Sequence, residues 1–206
     1  VSGSHTYSDL GAYMVRLTVT DKDGDFGQSS FQYVIVNDPA RGPVVWPISG
    51  WDVPDFPLSS TFGPRLKASA SYRYDWHRGI DIPTACYTPV RAITSGVVRL
   101  AGDVSSYEDR VVQLRHYKPG RTSCSNDGCF YSNYMHLASA SVQVSQTVAI
   151  GQVNGLSGET RIGSSGVCTP GVNLAVGNGF DHLHFEILDG DVYQQDATHP
   201  LRYLPY

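Results

Sequence analysis

Three short stretches carry the residue types that do chemistry. In HRGIDIP (77–83) a histidine and an aspartate stand four residues apart about a glycine, and imidazole and carboxylate are both metal donors and proton carriers. A spacing of four normally marks one face of a helix, but Gly79 and Pro83 argue against a helix. In a turn or strand the two groups still share a face, because the strand period is two. Such a pair is a candidate metal site, and taken alone it is equally a hydrogen-bonded turn with a solvated carboxylate. Partners for it stand further along. In FDHLHFEIL (180–188) His182 and His184 alternate with Leu183 and Phe185 as in a half-buried strand, and YSNYMHL (131–137) places His136 in a short aromatic and apolar run.

These groups need a scaffold, and the chain has the means to build one. With 206 residues, 41% apolar and 17% charged, it is long enough for one full core and a small second module. Fifteen basic residues against nineteen acidic ones leave a net charge of −4, with the basic residues scattered. Neither nucleic acid nor an anionic membrane is therefore an expected partner. No apolar run approaches the roughly 20 residues of a membrane span, so no membrane insertion is expected.

The texture changes along the chain. Residues 1–38 hold two alternating runs, 13–20 and 29–36, joined by DKDGDFG, which predicts a hairpin. Residues 39–43 form a linker rich in proline and glycine, and residues 44–206 make the second unit. There, TPVRAITSGVVRLAG, RVVQLRHY, VQVSQTVAIGQV and HLHFEIL read as short strands punctuated by glycine, with no amphipathic helix of three turns. The expected class is all-β, with functional groups at strand ends and in adjoining loops.

Cys86, Cys124, Cys129 and Cys168 are even in number and include no Cys-x-x-Cys pair. Two disulfides fit better than four buried thiols, because CSNDGC is a polar loop. Of the three connectivities, Cys124–Cys129 closes that turn and leaves Cys86–Cys168 by elimination. An oxidising compartment follows, hence secretion or the cell exterior.

Taken together, STFGPR, HRGIDI, TPVRAITSGVV, MHL, VSQTVAIGQVNGLSG and HLHFEI, in that order, resemble the lysostaphin-type zinc metalloendopeptidases, a secreted family that cuts peptide bonds in bacterial cell-wall peptidoglycan. The resemblance covers roughly residues 44–188. It implies that His77, Asp81 and His184 bind one Zn2+ and that His136 and His182 are catalytic. It also implies an antiparallel fold with barrel-like elements and an oxyanion-stabilising tyrosine near the first motif, for which Tyr72 and Tyr74 are candidates, with surface aromatic packing the equal alternative. Three protein ligands leave a fourth tetrahedral position for water. His182, two residues from His184 on the same face, is expected beside the ion and not on it.

HTYSDLGAYMVRLTVTDKDG resembles the C-terminal half of a polycystic-kidney-disease-type domain, an immunoglobulin-like β-sandwich. That implies a partial sandwich over residues 1–38, with His5 structural. His116 is read as structural support and His199 as uninvolved in catalysis. The chain departs from the peptidase pattern in having Phe180 and Asp181 before the His-Leu-His triplet and in its long loops at 118–130 and 159–179. Such loops set specificity. The expected activity is therefore a secreted, monomeric zinc endopeptidase acting on peptidoglycan peptides. Two alternatives remain: a protease of glycine-rich extracellular peptides such as those of elastin or collagen, and a non-catalytic cell-wall-binding or regulatory module.

Overall fold

Strands are the dominant regular element among the described residues of the computed structural model, which are 11–36, 43–50, 58–67, 73–107, 109–158, 182–190, 192 and 194–205. The first two strands, β1 (Gly11–Thr20) and β2 (Phe26–Val36), form the hairpin expected from alternation. Its turn is tied by the Asp21 carboxylate, which accepts the backbone N–H groups of Asp23 at 2.9 Å and Asp25 at 3.0 Å, while Gly24 takes the positive φ of 90°. Phe26 and Gly27, expected in the turn, belong to β2 because their backbone continues the ladder to Thr20 and Val19. Among the described residues this hairpin pairs only with itself.

A second hairpin follows, β3 (Gly63–Lys67) against β4 (Arg73–His77), and the chain then enters β5 (Ile80–Pro83) and β6 (Pro89–Arg91). The long strands are β7 (Gly96–Val104), β8 (Asp109–Tyr117) and β9 (Cys129–Met135). After them come β10 (Leu137–Ala140), β11 (Thr147–Val148), β12 (Val153–Ser157), β13 (His182–Asp189) and β14 (Ala197–Thr198). The helical elements among the described residues are single 3₁₀ turns, Gln194–Asp196 and Pro200–Arg202. Every pairing is antiparallel.

The main sheet runs β11-β7-β8-β9-β13-β14, with β5 also paired to β13, and a smaller sheet runs β10-β12-β6. Among the described residues β11 and β14 lie at opposite ends of the strand path of the main sheet. One core draws on both sheets. Ile80 and Ile82 of β5, Val112 and Leu114 of β8, Phe130 and Tyr134 of β9, Leu183, Phe185 and Ile187 of β13, Val90 of β6 and Leu137 of β10 all join it. Alternation then obliges Asp81, Gln113, Asn133, His184 and Glu186 to share the other face of the main sheet.

Cys124 and Cys129 form the expected disulfide, which closes the loop before β9. Cys86 is disulfide-bonded too; its expected partner, Cys168, lies outside the described residues, as do Tyr72 and His5.

His116 lies on the core face of β8, almost wholly buried. Its Nδ1 faces the Ser95 carbonyl at 2.9 Å, which can only accept, so Nδ1 carries the proton and Nε2 accepts from Ser132 Oγ at 2.7 Å. Ser132 Oγ meets the Tyr134 hydroxyl at 3.1 Å, which accepts the Ile93 N–H at 2.9 Å. A neutral ring satisfies every member of this chain, whereas a second ring proton would leave a buried hydroxyl hydrogen without an acceptor. Gly96 lets the neighbouring strand come this close, since a Cβ there would stand 2.7 Å from His116 Nδ1.

Burial drives the His116 pKa down to about 4, against the opposing hydrogen bond to Ser95. Below about 6.5 the unfolded chain binds a proton there that the folded chain refuses, so this contribution is complete above about pH 6.5 and is lost progressively as pH falls toward 4. Urea melts of the wild type and His116→Asn should therefore show the stability gap between them shrinking by about 2 kcal/mol from pH 7 to pH 5. A gap independent of pH would mean that His116 is not held neutral by the fold.

Candidate active site

Strand β13 is hydrogen-bonded on both edges, and its register sets the site. His184 stands directly opposite Asp81 of β5 on one side and Met135 of β9 on the other. His77 is the last residue of β4, and the bend at 78–79 returns the chain as β5, so the two groups of HRGID arrive from separate strands and not from one face of a single element. Gly79 makes the bend possible by its lack of a side chain: a Cβ there would lie 2.4 Å from the Phe185 carbonyl oxygen and 2.9 Å from His184 Nε2.

Three donor atoms converge. His77 Nε2 is 3.0 Å from His184 Nδ1, His184 Nδ1 is 2.8 Å from Asp81 Oδ1, and His77 Nε2 is 3.1 Å from the same oxygen. The outer nitrogens are already committed. His77 Nδ1 donates to the Thr61 carbonyl at 2.8 Å, and His184 Nε2 faces Glu186 Oε1 at 3.1 Å. With both outer nitrogens donating, the inner nitrogens of neutral rings turn lone pairs toward each other and toward a carboxylate oxygen, an arrangement that requires a positive charge among them.

Burial alone would raise the Asp81 pKa, but hydrogen bonds with His184 and His77 hold it well below the usual carboxylate range. His184 answers in the opposite sense: burial works against its charge, yet Asp81 and Glu186 carry it up to about 9. The positive charge can thus be a proton at Nδ1, or a metal ion in its place. Two imidazole nitrogens and a carboxylate oxygen form a zinc donor set, and the three edges of about 3 Å approach the roughly 3.3 Å edge of a tetrahedron with bonds of about 2.0–2.1 Å. His77, Asp81 and His184 fit one Zn2+.

Each donor is backed by a further group. Arg65 bonds Ser60 Oγ at 2.6 Å and Asp81 Oδ2 at 3.4 Å, and its other edge grips Asp75. Behind His184, Glu186 Oε2 accepts from Asn133 at 2.8 Å, and Asn133 Oδ1 accepts from Gln113 at 2.8 Å, all nearly inaccessible to solvent. This polar row crosses β13, β9 and β8 because Glu186, Asn133 and Gln113 are cross-strand neighbours in register. Partners of this kind fix the tautomer and direction of a metal-binding imidazole.

The other two histidines border the cluster. His182 Nε2 lies 3.6 Å from Asp81 Oδ1, and burial pushes its pKa down to about 4 despite the opposing pull of Asp81. His136 follows β9, its ring centroid 4.8 Å from that of His182 and 5.8 Å from that of His184. Its Nδ1 is 2.5 Å from Oδ2 of Asp109, a buried carboxylate at the start of β8.

The structure thus brings His77, Asp81, His136, His182 and His184 together. It does not bring Tyr74 to them: alternation along β4 puts it with Trp76 on the face opposite His77, 71% exposed. His199 caps the last 3₁₀ turn by accepting the Leu201 N–H, and packs on Phe62. Sequence reasoning missed Glu186 and Asp109. Glu186 could have been found, since it shares the period-two face of His182 and His184. Nothing near Asp109 in the chain marks it.

Residues 75–197 match Peptidase family M23. Among curated proteins, the chain is 30% identical to the peptidoglycan DD-endopeptidase of Vibrio cholerae over 168 residues, 82% of this chain and 29% of that protein. It is 28% identical to a glycyl-glycine endopeptidase of Staphylococcus capitis over 128 residues, 62% of this chain and 29% of that protein. It spans less than a third of the length of either relative. Among solved structures, the catalytic domain of lysostaphin from Staphylococcus simulans superposes with a TM-score of 0.52 at 25% identity, covering 73% of this chain and 92% of that one.

The packing around His184 leads to a measurable consequence. Gly79→Ala should drive the bend off β13, and Glu186→Gln should remove the carboxylate that orients the ring, each weakening zinc binding by about 10- to 100-fold. Chelator competition with the purified variants reads this directly. Unchanged affinity in both would show that neither group supports the metal site.

Proposed function

Since this chain belongs to peptidase family M23, we propose that it is a zinc-dependent endopeptidase that hydrolyses peptide bonds in bacterial peptidoglycan, outside the cytoplasm. The observation that carries this reading is the convergence of His77, Asp81 and His184 on one point, with His136 and His182 at its border. The name of the relative from Vibrio cholerae, a peptidoglycan DD-endopeptidase, supports the substrate class, and that of the relative from Staphylococcus capitis, a glycyl-glycine endopeptidase, supports the endopeptidase chemistry. The disulfides support an oxidising compartment.

His77, Asp81 and His184 would hold the zinc, which when bound supplies Lewis acidity toward a carbonyl and makes water a stronger acid. The remaining chemistry belongs to the two bordering histidines. His136 directs Nδ1 to Asp109, so its Nε2 is the nitrogen free to take a proton from the attacking water and to return one to the leaving amine. His182, kept neutral at ordinary pH by burial, presents a second ring to the same space and can hydrogen-bond the developing oxyanion. Tyr74, directed away from the cluster, has no part in this scheme.

The same reading assigns residues 44–206 to the peptidase unit, 39–43 to a linker and 1–38 to part of a polycystic-kidney-disease-type module. In support, the family match lies wholly within 44–206 and the hairpin β1–β2 pairs only with itself among the described residues. Cys86 is assigned to Cys168 as the remaining pair.

Purified sacculi incubated with zinc-loaded protein should release peptide fragments whose masses locate a cleaved peptide bond. His136→Ala and His182→Ala should each lose about 10²- to 10⁴-fold in rate while retaining zinc, whereas His184→Ala should lose the metal. Preferential cutting of elastin or collagen in parallel digests would move the substrate to matrix proteins. Binding to sacculi with no fragment released by zinc-loaded protein would overturn the enzymatic reading.

A further inference from the structure

His136 has the left-handed φ of 59°, a strained conformation that a residue with a Cβ adopts rarely. It sits where β9 ends and β10 begins, and both of its backbone polar groups are held. Its N–H donates to Asp109 Oδ2 at 3.0 Å, and its carbonyl accepts the Gly158 N–H at 2.7 Å. The oxygen that takes the backbone N–H also takes the ring, with Nδ1 at 2.5 Å.

Asp109 is itself unusual. It is 1% exposed, yet its only partners among the described residues are the ring and N–H of His136 and the N–H of Arg110, which bonds Oδ1 at 2.7 Å. The Arg110 guanidinium turns elsewhere, to Asp103 and the Ala138 carbonyl. A buried carboxylate is costly unless paired and hydrogen-bonded, and here the single side-chain partner is an imidazole at the border of the metal site. Stability alone does not call for such a pair, since apolar residues of the same volume would serve the core as well or better.

We propose that Asp109 is the positioning residue of the active site, holding His136 by backbone and ring at once so that its Nδ1–H is consumed and its Nε2 alone faces the reacting groups. The role rests on the peptidase reading above. One carboxylate oxygen fixes both the main-chain conformation of His136 and the ring's tautomer, so the proton acceptor is ready before substrate arrives. Because Asp109 opens β8 and His136 follows β9, the pairing of those two strands places the carboxylate.

Long-range nitrogen–proton NMR correlation of zinc-loaded, histidine-labelled protein reads the ring state of His136 without any reaction. The expected result is a proton on Nδ1 in the wild type. A neutral ring protonated at Nε2 would overturn the proposal. In parallel, Asp109→Asn should lower kcat on a soluble peptidoglycan peptide by about 10²-fold or more, with KM within about threefold and zinc content unchanged. In a His136→Ala background it should have no further effect, because Asp109 acts through that ring. Equal losses in both backgrounds, or wild-type kcat in the single variant, would also overturn it. If the wild type cleaves no peptide, the peptidase reading falls, and the NMR result still decides whether Asp109 sets the ring.

Discussion

The site depends on one constraint, the pairing of β13 along both edges. A strand hydrogen-bonded on two sides cannot rotate about its axis, so alternation becomes an absolute assignment of faces. Leu183, Phe185 and Ile187 go into the core, and His182, His184 and Glu186 go to the other face. A slip of one residue would bury three ionisable groups among aliphatic side chains, at a far greater cost than any single contact at the site supplies. The register with β5 is equally decisive, because it sets Asp81 directly beside His184.

Positive charge is the second organising demand. Asp81, Glu186 and Asp109 are all buried or nearly so, and each faces a histidine. The carboxylates do different work according to what else they meet. Asp81 turns Oδ1 to the point shared with two imidazole nitrogens, while its other oxygen is held by Arg65. Glu186 and Asp109 stay on the outer nitrogens, where they decide which inner or free nitrogen has a lone pair. His182, with Asp81 opposed by burial and by three neighbouring rings, remains neutral. His182 and His184, two residues apart on one strand face, therefore differ in charge because their carboxylate neighbours differ.

Local backbone features complete the geometry. Gly79 is needed for close approach, since the bend it occupies touches the strand carrying His184. His136 shows the converse, a residue with a side chain held in a left-handed conformation by hydrogen bonds from two distant segments. In both places the chain gives up a locally favoured state for position, which is the usual mark of a functional site.

The sequence by itself determined the donor types, their order and the kind of element that carries them. Alternation in HLHFEIL specifies a strand with two histidines on one face, and Gly79 with Pro83 excludes a helix across HRGIDIP, because these are properties of neighbouring residues along the chain. The hairpin of 11–36, the all-β class and the Cys124–Cys129 bridge were legible for the same reason. Only the tertiary structure decided that Asp81 stands beside His184, that Tyr74 faces away from the cluster, and that Asp109 meets His136 across 27 positions. Period encodes which face a side chain takes, whereas partners across a sheet follow from register and strand order. Those are set by how all the strands bury their apolar faces together, and no single segment carries that information.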